Sequence, residues 1–223
     1  MAALNEVPDW MRPPGLPSHR MPSAQALQRL KAGNARYVTQ RSGEGHSPGS
    51  PVTAEFPFAV VVGCLEPDAA GEHLFAETPG AVQCVRTAGP SLGADTMAAI
   101  EYAVLVQNVS LVLVLGHQGC GALRAAADAR AAGSVPLPGE LTGWVSRAAT
   151  GTRLGDPATG HVRALRAVLH RADSLLTLIR SGEVKIAAGV LAPATGAIEF
   201  LPDEPDEVED DCPSVSRRVE LGS

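Results

Sequence analysis

The chain's 223 residues are 45% hydrophobic, 19% charged and 4% aromatic, a length and apolar content that suit one domain with a real core. Its formal charge of −6 is concentrated: residues 202–223 hold eight acids and two arginines, which leaves residues 1–201 neutral. A neutral body without a basic stripe argues against nucleic acid as a partner, and the longest apolar run, Phe58 to Val62 with Gly63 and Cys64, is too short to cross a membrane.

Residues 1–22 are proline-rich and aperiodic and carry Glu and Asp where a targeting peptide would be apolar, so they read as a disordered or loosely docked arm on a cytoplasmic protein. From Ser23, taken as an N-cap, Leu27, Leu30, Asn34 and Val38 recur at helical spacing. Gly, Ser and Pro fill 42–51 as loop. Phe58–Val62 is then a continuous, largely β-branched run of the kind buried on both faces of a parallel sheet. A helical pattern over 66–77 leads to a second strand at 81–85, and another over 94–107 to a third at 111–115. Helices over 120–132 and 161–180 precede a fourth strand at 184–191. Ile198–Leu201 follows a Thr195-Gly196 turn as an antiparallel edge strand, and the acidic block of 202–223 predicts a disordered tail.

Alternating fully apolar strands and helices define an α/β fold, a mostly parallel β-sheet flanked by helices, in a single domain over 23–201. In such sheets ligands bind beyond the carboxyl ends of the strands. The first strand runs into Gly63-Cys64 and the third into Gly116-His117-Gln118-Gly119-Cys120-Gly121. Two thiols and an imidazole at strand ends are the ligand types zinc takes, and three protein ligands with an open fourth position is its catalytic form. Each residue also has a plainer explanation, a cysteine as a small buried hydrophobe and a histidine as hydrogen-bonded structure. Cys84, inside a strand pattern, is expected to be buried and apolar in role, and Cys212 to have none.

The stretch from Gly116 to Ala122 resembles the zinc-binding segment of β-class carbonic anhydrases. Val85-Arg86-Thr87-Ala88-Gly89 resembles the family's Val-Arg-Asn-Ala-Gly turn, and Asp95-Thr96 with Ile100 to Val104 its following helix. Asn34 to Val38, Trp144 and His161 to Arg163 fit as well, so the resemblance covers about residues 24–201. It implies Zn2+ held by Cys64, His117 and Cys120, and reversible hydration of carbon dioxide to bicarbonate by metal-activated hydroxide. It also implies a homodimer or higher homo-oligomer with sites near the subunit interface, and Arg86 bracing the site backbone.

Three positions depart from the family's pattern. Where the family reads Cys-x-Asp-x-Arg, the chain reads Cys64-Leu65-Glu66-Pro67-Asp68, so Glu66 and Asp68 occupy the catalytic dyad positions. Glu55 stands where the family carries a substrate-positioning glutamine, beside Gly121 on the substrate side. Asp68 puts a negative charge where the family has a positive one and Glu55 adds a negative charge, while Glu66 keeps the charge of the aspartate it replaces. Glu66 is one methylene longer than aspartate, so it either hydrogen-bonds the metal's water or closes the site as a fourth ligand; Asp68 is equally explained as a helix N-terminal acid. Two alternatives therefore stand beside the lyase: a zinc enzyme for another small neutral or cationic substrate, and a non-catalytic zinc-stabilised protein.

Overall fold

Four apolar runs become parallel strands: β1 (Ala59–Cys64), β2 (Val82–Thr87), β3 (Leu111–His117) and β4 (Lys185–Ala192). A fifth, β5 (Ala197–Phe200), turns back antiparallel on β4, giving the order β2-β1-β3-β4-β5. The computed structural model describes residues 17–41, 56–66, 73–133, 137–148 and 157–203, with residues 11 and 15; Cys212 and most of the arm and tail lie outside these.

The central strands β1 and β3 are buried at every position, because helices cover both faces. On one face Val61, Leu111, Leu113 and Leu115 pack under α1 (Ser23–Arg41), α3 (Gly121–Ala131) and α4 (Leu141–Ala148). On the other, Val60, Val62, Val112 and Val114 pack under α2 (Ala94–Glu101) and α5 (Pro157–His170). The register sets Val61 of β1 beside Cys84 of β2 and Leu113 of β3, so the carboxyl ends of β1 and β3 emerge as neighbours. No helix among the described residues is long and apolar enough to cross a membrane.

Several expected elements differ. In the interval 66–77, the described residues 73–77 form one 3-10 turn, His73–Phe75, followed by Ala76 at φ 44°, not a helix. Leu74 and Phe75 are buried beneath α1, and a Cβ at Gly33 would stand 2.0 Å from the Phe75 carbonyl oxygen. Close packing, not local propensity, decides that segment. The helix expected over 94–107 becomes π-helical at Tyr102–Val106. The one expected over 161–180 starts earlier, at Pro157, and breaks before α6 (Leu176–Arg180), where Leu175 enters the core. Helix α4 had no counterpart in the sequence reading. Ser23 lies inside α1: Ala26 N–H bonds the Pro22 carbonyl, which makes Pro22 the N-cap, and the Ser23 hydroxyl donates to Gly182 O at 3.0 Å.

Asn34, expected only as one member of a helical stripe, is 5% exposed and joins three elements. Its amide donates to Leu74 O (3.0 Å) and Gly196 O (2.9 Å), and its carbonyl accepts from Ile198 N–H (3.0 Å). Beside the helical turn at 102–106, Arg20 donates to the carbonyls of Val104 (2.6 Å) and Val109 (2.8 Å).

Candidate metal centre

Cys64 ends β1 and His117 ends β3, and the strand register carries both to one rim of the sheet. Between His117 and Cys120 the chain must reverse sharply. Gly119 does this at φ 71°, a left-handed conformation costly for other residues, and leaves Cys120 at the start of α3. Cys64 Sγ and Cys120 Sγ then lie 3.8 Å apart. One ligand atom from each of Cys64, Glu66, His117 and Cys120 lies within 4.8 Å of all the others.

Glu66 reaches into this cluster. Its Oε1 accepts from Ala122 N–H at 3.0 Å, in the first turn of α3, and stands 3.8 Å from Cys120 Sγ; its Oε2 is 3.7 Å from His117 Nε2. Gly121 makes room for it, since a Cβ there would meet Glu66 Oε1 at 3.1 Å. These separations suit one ion: neighbouring ligand atoms around tetrahedral zinc stand about 3.3–3.8 Å apart, given metal–ligand lengths of about 2.0–2.3 Å.

The imidazole is set up as a ligand. His117 Nδ1 lies 3.3 Å from Gln118 O, a contact that needs the proton on Nδ1 and leaves the Nε2 lone pair facing the cluster. Nε2 is buried and has no hydrogen-bond partner. A buried, unpartnered nitrogen is costly unless something completes it, and a cation among two sulfurs and a carboxylate would do so. Without metal, the Cys64 thiol is pulled down to about 4, chiefly by its hydrogen bond with Cys120 and further by His117, against burial. The same pairing and burial push Cys120 up, and contact with Cys64 raises His117. One negative sulfur sits in a cavity also holding a carboxylate, and these donors fit zinc.

Arg86, on β2, holds the loop that carries two of the donors. Its Nε donates to Cys64 O (2.9 Å) and one Nη to Leu65 O (2.9 Å) and Glu66 O (3.0 Å). A planar fork presents fixed donors to three carbonyls, a geometry that a single ammonium nitrogen on a flexible stem does not reproduce. Arg86→Lys is therefore expected to weaken zinc retention about tenfold in chelator competition, the lower end for residues behind the ligands; unchanged retention would show the fork to be dispensable. Below the metal pocket, the turn Thr87–Ser91 brings Gly89 N–H to 3.4 Å from Cys64 Sγ. Gly89 sits at φ 60°, with Leu123 Cδ2 3.1 Å from where a Cβ would be.

The structure thus brings Cys64, Glu66, His117, Cys120 and Gly121 together and sets Arg86 behind the backbone. Glu55 and Asp68 lie outside the described residues. Cys84 is half-buried on the edge strand, packed against the core. The sequence reading assigned no role to the Ala122 and Gly89 amides, and no backbone donor carries a residue-type signal that could have revealed them. The role of Trp144, whose indole N–H donates to Ala88 O at 2.5 Å, was likewise not read.

The carbonic anhydrase family model matches residues 59–198. The chain is 38% identical over 135 residues to "Carbonic anhydrase 2" of Mycobacterium tuberculosis, a match covering 58% of this chain and 64% of that relative's length. Among solved structures, the β-carbonic anhydrase CcaA superposes with a TM-score of 0.58 at 14% identity, over 81% of this chain and 90% of that one. A Coccomyxa β-carbonic anhydrase in complex with acetazolamide gives 0.55 at 20% identity, over 80% and 82%. At those identities the structural likeness speaks for the fold alone.

Proposed function

This chain belongs to the β-carbonic anhydrase family, and from that premise we propose that it catalyses the reversible hydration of carbon dioxide to bicarbonate, using zinc held by Cys64, His117 and Cys120. The observation that carries the reading is the convergence of two sulfurs, an unpartnered imidazole nitrogen and a carboxylate within 4.8 Å at the carboxyl ends of β1 and β3. When bound, zinc supplies the Lewis acidity that makes water nucleophilic near neutral pH. Glu66 would take that water's hydrogen bond, a role supported by Ala122 N–H donating to its Oε1 and by its Oε2 lying 3.7 Å from His117 Nε2. Arg86 keeps the Glu66 backbone in place. Asp68 and Glu55 enter from the sequence alone, as acids that would disfavour the anionic product if they face the site.

The spacing of Glu66 favours one further reading, in which its carboxylate is itself the fourth ligand and excludes water. Stopped-flow hydration by zinc-loaded wild type and Glu66→Ala separates the two. Loss of about a hundredfold or more in the variant identifies Glu66 as water's partner, the smaller end of general acid–base effects; a gain identifies it as the plug. Bound zinc without hydration by either protein overturns the lyase reading, and turnover of a neutral ester or amidine by that material would change the substrate class.

We place the working unit at residues 23–201, in the cytoplasm, where Cys64, Cys84 and Cys120, none of them in a disulfide, stay reduced. We also propose assembly as a homodimer or larger, supported by Leu65 beside the site (58% exposed) and by Tyr102 and Leu141, large apolar side chains left uncovered.

A further inference from the structure

The turn Thr87–Ser91 supplies no metal ligand, yet two helices and its own side chains hold it. From α4, the Trp144 indole N–H donates to Ala88 O at 2.5 Å while the ring packs against the core. From α5, the fully buried His161 places Nε2 2.6 Å from Pro90 O, a contact that requires Nε2 to carry the proton. Within the turn, Thr87 Oγ1 donates to Gly89 O (2.7 Å) and accepts from Ser91 N–H (2.9 Å). Carbonyls 88, 89 and 90 are thus each tied down, and the Gly89 amide between them aims at Cys64 Sγ.

An amide N–H bonded to a thiolate withdraws electron density from sulfur, and groups behind metal ligands tune both retention and electronics. We infer that Trp144 and His161 are positioning residues for the metal: by clamping the Ala88 and Pro90 carbonyls they hold the Gly89 N–H on the Cys64 sulfur and so set how tightly, and how electron-rich, that sulfur binds. The inference rests on the zinc reading above and adds two side chains on helices that contribute no ligand to it. It differs from a purely structural role in one respect. A side chain that only supports α4 would change stability without changing the sulfur–metal bond.

The test uses the full chain loaded with cobalt(II), whose sulfur-to-metal charge-transfer absorption reports the thiolate directly. Trp144→Phe keeps an aromatic ring in the same packing and removes the donor. Thr87→Val loosens the turn from inside and carries the test if the tryptophan variant does not fold. Each variant is expected to shift the charge-transfer band to lower energy, because an unbonded thiolate is the better electron donor. Each is also expected to lose metal to a chelator about tenfold faster than wild type, because the sulfur is no longer held in position and that loss outweighs its stronger donation. Wild-type cobalt binding with the same band position and release rate in the variants overturns the positioning role and leaves the zinc site standing. A wild type that takes up neither cobalt nor zinc overturns the metal reading and this inference together.

Discussion

Zinc and activity are expected to disappear together when Cys120 is replaced by serine. The substitution is nearly isosteric and leaves the start of α3 undisturbed, but a neutral hydroxyl is a poor zinc ligand where a thiolate is a strong one. Cys120 occupies the corner of the cluster 3.8 Å from Cys64 Sγ and 3.8 Å from Glu66 Oε1, and among the described residues no other donor faces that corner. Without the metal, water returns from a pKa near 7 to about 15.7, so the hydration rate should fall by more than about a thousandfold. Elemental analysis and stopped-flow hydration on one preparation check this. A Cys120→Ser protein with one zinc per chain and a rate within tenfold of wild type would show that the ligand set is wrong.

The largest effect on stability is expected at Asn34, well away from the metal. Asn34→Leu keeps the branched heavy-atom shape but strands two carbonyls, Leu74 O and Gly196 O, and one amide, Ile198 N–H. A buried polar group that loses its partner costs about 1–3 kcal/mol, and allowing for relaxation a total near 3 kcal/mol is expected. For a domain of this size that is a fall of roughly 6–12 °C in Tm. Thermal unfolding followed by circular dichroism provides the measurement, and a shift below 2 °C would mean that water or backbone movement replaces the asparagine.

Those two sites differ in how far they could be read from the chain. The five strands and the α/β class were legible, because fully apolar runs such as Leu111–Leu115 have one good home, between two layers of helix. Cys64, His117 and Cys120 were legible because uncommon donors followed those runs at positions where ligands gather, and because the surrounding motifs resemble one family. Within 66–77 the described residues 73–77 depart from the helical spacing, which says nothing of a carbonyl that must pass over Gly33. Asn34 looked like one polar residue on a helix; its partners come from two distant segments that only the fold assembles. Backbone groups such as Gly89 N–H were invisible for a simpler reason, that every residue except proline has one.

The two sulfurs of the cluster are 56 positions apart in the chain and meet only because β1 and β3 lie side by side. Apolar burial along the seam between those strands holds the sulfurs at one rim, so an ion bound there would meet donors that the sheet already gathers. To the extent that zinc favours the folded chain over the unfolded one, it should delay heat denaturation in proportion to the logarithm of its free concentration.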